Sequence, residues 1–295
     1  MTASPTGLRA RLSATTATPL VAAGVGTPLE AELATSAGFD VIYLSGYAVA
    51  AWRYGVPDIG LIALEEIAGA LEAVTSAVQA QVICDADTGY GDVAGVARTV
   101  RRLEARGASA IQLEDQAWPK RCGHLDGKVV IPAQEHARKI AAAVAARESS
   151  DTVIIARTDA LAPEGLTAAL ERCRRYADAG ADMLFVDAPP DLASIEKIAQ
   201  TLGDYPLLAN MSESGVSPQL SAAQWHEFGY TLVIFPTSAL RVAARTLAQF
   251  YDHLRRTGDS RAWLERMASL EELNGLVGLR QIEQFDANLS GGGRE

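Results

Sequence analysis

The stretch from Cys84 to His124 concentrates the residues able to do chemistry. It reads Cys-Asp-Ala-Asp-Thr-Gly-Tyr-Gly-Asp over 84–92, then a helix-length stretch, then Gln-Leu-Glu-Asp-Gln-Ala-Trp-Pro-Lys-Arg-Cys-Gly-His over 112–124. Two apolar runs, Gln81 to Cys84 and Ala110 to Leu113, each end in acidic residues, which places carboxylates at strand ends where packing requires no charge. Asp85 and Asp87, at i and i+2, leave the first strand pointing the same way, and Glu114 can join them directly or through water. Oxygen-only donors suit Mg2+, or Mn2+, with water and substrate completing the shell. Aspartates before glycine are also ordinary turn formers, so the acids alone leave a capping role open.

Lys120-Arg121-Cys122-Gly123-His124 narrows that choice. A thiol among Lys, Arg and His has its thiolate favoured, which suits a reactive or proton-donating cysteine. Gly123 and Gly127 give the loop freedom to close over a ligand. Arg157 ends a further apolar run and should pair with a carboxylate, either of a substrate or of a neighbour such as Asp159. Tyr43 shares strand parity with Ser45, so both side chains should face one cavity; Tyr43 serves equally well as a core residue.

Asp-Ala-Asp-Thr-Gly-Tyr-Gly (85–91), Glu-Asp-Gln (114–116), Pro-Lys-Arg-Cys-Gly-His (119–124), Ile-Ala-Arg-Thr-Asp-Ala (155–160) and Asn-Met-Ser-Glu-Ser-Gly (210–215) together resemble the isocitrate lyase and phosphoenolpyruvate mutase superfamily. The resemblance runs from about Pro19 to Arg256 and implies an Mg2+-dependent enzyme acting on 2-keto or 2-hydroxy carboxylates. It implies that Asp85 and Asp87 hold the metal, with Glu114 beside them and Asp58 further out. Ser45, Gly46 and Tyr47 would bind the substrate carboxylate. Gly123, Arg157, Asp187, Asn210, Ser212 and Arg241 would complete the substrate site. Cys122 would donate the proton to a departing carbanion, with His124 as the next candidate, Arg121 stabilising charge and Tyr43 as the base.

Departures from the family pattern bear on the substrate. Gly26 and Thr27 stand where a bulky residue followed by Asp or Asn is usual, which suggests extra room. Asp187 replaces a Glu of methylisocitrate lyases and is shorter by one methylene, and Leu270 replaces an Arg. Without that cation a third carboxylate would be poorly paired, so a substituted malate resembling 2,3-dimethylmalate is favoured. The alternatives are methylisocitrate, a phosphonate-forming mutase reaction, which His124-Leu-Asp-Gly-Lys128 keeps open, and a decarboxylase acting on oxaloacetate.

The elements that must position these residues alternate in type. Eight apolar runs, at 19–23, 41–44, 81–84, 110–113, 153–156, 183–186, 207–209 and 232–235, are separated by helical patterns such as 64–78, 93–106, 133–147, 166–179, 192–202 and 239–255. Glycines at 38, 107, 180 and 229 punctuate helix ends before the next strand. Eight such units predict an α/β fold of the (β/α)8 TIM barrel type, with the polar residues at the C-terminal strand ends where barrel active sites form. An open doubly wound sheet would more often carry a Gly-rich phosphate loop, and none is present. The expected organisation is a flexible 1–17, a barrel over 18–256, a helical extension over 257–288 and a disordered tail over 289–295. The family resemblance implies that the extension is exchanged between subunits of a homo-oligomer, a tetramer built as a dimer of dimers.

Composition sets outer bounds. Hydrophobic residues make up 48%, ample for one large core, and a net charge of −10 argues against nucleic acid as a partner. No apolar run reaches membrane-spanning length, no signal-peptide pattern opens the chain, and three cysteines without paired spacing fit a reducing cytoplasm.

Overall fold

The computed structural model describes residues 7–13, 18–121, 123 and 127–291. Eight parallel strands, β1 (Leu20–Val25), β2 (Val41–Leu44), β3 (Gln81–Asp85), β4 (Ala108–Glu114), β5 (Val153–Thr158), β6 (Met183–Val186), β7 (Leu208–Asn210) and β8 (Leu232–Phe235), pair in the order β6-β5-β4-β3-β2-β1-β8-β7. A single parallel bridge, Leu184 to Leu207, draws the two ends of this sheet together, giving the nearly closed barrel expected.

Strand alternation divides the core in two. Tyr43, Ile83, Ala110, Ile155, Phe185, Leu208 and Ile234 fill the interior, while Ile42, Leu44, Cys84, Ile111, Ile154 and Leu184 meet the surrounding helices. Burial on both faces is why the strands read as continuous apolar runs. The helices present the complementary stripe: Leu64–Ala77 buries Leu64, Ile67, Ala68, Leu71 and Val74, the spacing of one helical face. Asp92 starts Val93–Glu104 by accepting the N–H groups of Ala94 and Gly95, and Asp191 starts Leu192–Leu202 through Ser194.

Several elements differ from expectation. Within 1–17, Leu8–Ser13 is a helix whose Leu8 and Leu12 are buried in the interior cluster with Val41, Val153 and Met183. Burying two leucines contributes about 2 kcal/mol each, enough to order a turn too short to announce itself by periodicity. Arg9 adds a bond from Nη1 to Asp182 Oδ1 at 2.7 Å; Asp182 Oδ2 also accepts Arg147 Nη1 (2.5 Å) and the Ile154 N–H (2.8 Å) at the N-terminal end of the barrel. The helix Pro28–Ser36 ends just before Gly38, as that glycine predicts, but no span announces it, because its hydrophobic residues are spread around its circumference rather than along one stripe. Near the other end, the helix Leu279–Gly291 runs through positions expected to be disordered; residues 292–295 lie outside the described set.

The chain forms two compact units, Met1–Leu240 and Arg241–Glu295. The second holds the rest of the helix Ser238–Thr257, the turn Arg261–Arg266 and the helices Leu270–Leu276 and Leu279–Gly291. Among the described residues no helix is long and apolar enough to cross a membrane.

Candidate active site

The C-terminal strand ends gather the predicted acids. Asp85 is the last residue of β3 and Glu114 the last of β4. Asp87 lies beyond the strand with φ 48°, a left-handed turn rather than strand geometry. That turn, and not strand parity, aims its carboxylate beside that of Asp85: a side chain on Gly46 would meet both Asp85 Oδ2 and Asp87 Oδ1. Asp85 accepts the Gly46 N–H (3.3 Å) and Gln112 Nε2 (3.3 Å). Ser45 caps the short turn Gly46–Ala48 by accepting the Ala48 N–H at 3.2 Å, and Tyr47 next to it is partly exposed.

Lys120 supplies what the sequence did not predict. Its ammonium is buried, 2.9 Å from Asp87 Oδ1 and paired with Asp58. Burial alone would lower it, but Asp87, Glu114 and Asp58 more than offset this and hold it well above its usual value. One ammonium cannot neutralise this many acids. Burial, only partly offset by Lys120, pushes Asp87 up to about 6. Burial also holds Glu114 well above the carboxylate range against the pull of Arg157.

Whether this cluster fits a divalent cation can be read from its donors. Glu114 Oε1 is buried and accepts no hydrogen bond among the described residues, a costly state unless something positive approaches it. Among the described residues no three His, Cys, Asp or Glu side chains stand close enough to hold an ion by themselves. The donor set therefore fits an ion bound through one or two carboxylates, with water and substrate oxygens as the other ligands, the habit of Mg2+.

Arg157, near the end of β5, takes the intramolecular pairing. Nε and Nη2 donate to the two oxygens of Asp159 at 2.9 Å each, and Nη2 donates to Asp187 Oδ2 at 2.9 Å. Glu114 Oε2 lies 3.5 Å from Nε. Asn210 Nδ2 donates to Asp187 Oδ1 at 3.1 Å, so Arg157, Asp187 and Asn210 form one connected group. A fork held on both oxygens of Asp159 is oriented before any ligand arrives.

Gly123 closes on this group. A side chain there would overlap Asp187 Oδ2 and Arg157 Nη2, and its carbonyl accepts Lys128 Nζ. The glycine is required by close approach, a reason distinct from loop freedom. Arg121 is tied through its backbone, its N–H to Gln116 Oε1 (2.9 Å) and its carbonyl to Gln116 Nε2 (2.7 Å). Cys122 and His124 lie outside the described residues. Ser212 follows β7, its carbonyl accepting Gln219 Nε2 at 3.3 Å. Arg241 opens the second unit.

Two expectations need correction. Gly26 leaves no extra room, because a Cβ there would lie 2.7 Å from the Ala48 carbonyl carbon; Thr27 instead caps the helix Pro28–Ser36. Tyr43 is a poor base, since burial, reinforced by Asp85, holds its phenol well above the ordinary value. Cys84 and Cys173 are buried, and burial keeps both thiols protonated.

A family model described as phosphoenolpyruvate phosphomutase matches residues 8–255. The chain is 41% identical to a 2-methylisocitrate lyase of Aeropyrum pernix, covering 92% of this chain and 87% of that one. It is 37% identical to a 2,3-dimethylmalate lyase of Eubacterium barkeri, with 92% and 94% covered. Among solved structures, an oxaloacetate acetylhydrolase in complex with 3,3-difluorooxalacetate superposes with a TM-score of 0.91 at 32% identity, covering 96% of each chain.

Proposed function

The chain belongs to the phosphoenolpyruvate phosphomutase family and is a carbon–carbon lyase, and from that premise we propose that it cleaves a substituted malate resembling 2,3-dimethylmalate with the help of Mg2+ or Mn2+. The charge balance of the site carries this reading. Among the described residues, the cations paired with Asp58, Asp87, Glu114, Asp159 and Asp187 include Lys120, Lys128 and Arg157, and Asp85 adds a further acid beside them. An anionic substrate therefore needs a divalent cation to enter, and each further carboxylate adds repulsion. A dicarboxylate fits that balance better than a tricarboxylate.

Bound among Asp85, Asp87 and Glu114, the ion would supply positive charge that lowers the pKa of the substrate 2-hydroxyl. Ser45, Gly46 and Tyr47 hold the adjacent carboxylate. A carboxylate of the cluster that the ion leaves free accepts the hydroxyl proton, a role for which the buried phenol of Tyr43 is poorly suited. As the bond between C2 and C3 breaks, its electron pair passes to C3 beside the second carboxylate, and C2 becomes the keto carbon. Arg157, Asn210 and Arg121 stabilise the charge as it moves. Cys122 then gives its proton to C3, with His124 as the alternative donor, and an α-keto acid and a carboxylate result.

Pyruvate release tests the substrate assignment. 2,3-Dimethylmalate should give the highest kcat/KM in a panel with 2-methylisocitrate and oxaloacetate, run beside phosphorus NMR of phosphonopyruvate. Faster cleavage of 2-methylisocitrate, or carbon–phosphorus rearrangement, would replace it with the corresponding alternative.

Leu279, Ile282, Phe285 and Leu289 lie exposed along the last helix, at intervals that place them on one side. We propose that they join subunits of a cytoplasmic homo-oligomer, a tetramer formed as a dimer of dimers. Light scattering should give four times the chain mass; a monomer at micromolar concentration would contradict this.

A further inference from the structure

Asp115 follows Glu114 but is turned away from the acid cluster and is fully buried. Its Oδ1 accepts the Asp159 N–H at 2.9 Å, and its Oδ2 accepts Thr158 Oγ1 (2.7 Å), Tyr176 Oη (2.7 Å) and Arg172 Nη1 (3.2 Å). Arg172 reaches in from the helix Leu166–Asp178 and is itself fixed, Nε and Nη2 donating to the two oxygens of Glu164 at 2.7 and 2.8 Å, and Nη1 to the Ile131 carbonyl at 2.9 Å. Burying a carboxylate in a barrel wall is costly, and apolar residues would pack the same space more cheaply. Four converging donors offset that cost only because they hold one geometry.

That geometry ends on the substrate side. The Asp159 N–H that Asp115 holds belongs to the residue whose carboxylate forks onto Arg157. We infer that Asp115, anchored by Arg172 and Tyr176, is a positioning residue that sets the orientation of Arg157 through Asp159; its effect on catalysis rests on the lyase reading above. The ordered contacts run from the outer helix to Asp115, then Asp159, Arg157, Asp187 and Asn210. The hydrogen bonds of the Asp115 carboxylate go to Asp159, Thr158, Tyr176 and Arg172 and not to the acids that would receive the cation, so the contacts it orders lead to the guanidinium.

Asp115→Asn puts an NH2 group against three donors or turns it toward the Asp159 N–H, and either choice loosens Asp159. It should lower kcat/KM about a hundredfold, the cost of a misplaced binding group, through both a lower kcat and a higher KM. Mn2+ affinity measured by titration should stay unchanged. Asp182→Asn is the control, because Asp182, partly buried, is likewise held by arginines and a backbone N–H but at the opposite end of the barrel; it should leave kcat and KM unaltered. Wild-type kinetics in Asp115→Asn, or an equal loss in Asp182→Asn, would overturn the inference.

Tyr176→Phe removes one donor without adding one and provides the test should Asp115→Asn not fold. Its readout is the Arg157 Nε–Hε resonance, identified by its absence in Arg157→Lys. The signal should be sharp and slow to exchange with solvent in the wild type and Asp182→Asn, and broadened or shifted in Tyr176→Phe; an unchanged signal overturns the inference. This readout needs no turnover, so a wild type inactive on malates would refute the lyase reading while the resonance still decides the role of Asp115.

Discussion

Cys122→Ser is expected to lower turnover on the order of a thousandfold, with little change in KM. A hydroxyl is a far weaker acid than a thiol, while in the proposed site substrate binding would rest on Ser45, Arg157 and the cation. Cys84→Ser and Cys173→Ser should keep near-normal turnover in the folded fraction, because both thiols are buried and burial keeps them protonated. A mutase moves a phosphoryl group without protonating carbon, so the same change would cost it much less. Near-normal cleavage by Cys122→Ser, measured as pyruvate release, would move the proton donor to His124.

Metal removal should abolish activity, and Mg2+ or Mn2+ should restore it. The binding itself can be followed without substrate. Asp87 titrates near 6 in the folded protein against an ordinary value of 3.8. Its folded value is raised, so the stability it lends through its protonated form is lost as pH rises through 6. A cation reverses that loss by taking the place of the proton. The rise in melting temperature on adding Mn2+ should therefore grow from pH 5 to pH 7.5. A rise independent of pH, or full activity after chelation, would refute a cation among these acids.

Most of the barrel was legible because its signals are local. The expected runs at 41–44, 183–186 and 232–235 coincide with β2, β6 and β8. The runs ending at 84, 113 and 156 stop short only because the strands continue into Asp85, Glu114 and Arg157. Apolarity marks a strand until it reaches the residues that do chemistry, where the strand continues and the pattern breaks.

What was missed depends on partners distant in sequence. Lys120 beside Cys122 suggests thiol activation, yet its ammonium goes to Asp58 and Asp87. Asp115 looks like one more acid of an acidic motif, and only the fold brings Tyr176 and Arg172 to it. Gly26 suggests space because its neighbour Ala48 belongs to another turn. In each case the residue type is correct for its role, but the contact that decides that role is set by the closing of the barrel.

Carbon–carbon cleavage with protonation of the departing carbon is tested most directly by proton NMR of 2,3-dimethylmalate turnover in D2O with Mg2+. Pyruvate and propionate should appear in equal amounts, with a single deuteron at C2 of propionate and none introduced into the pyruvate methyl at early times. Pyruvate without propionate, or propionate free of deuterium at C2, would contradict the mechanism.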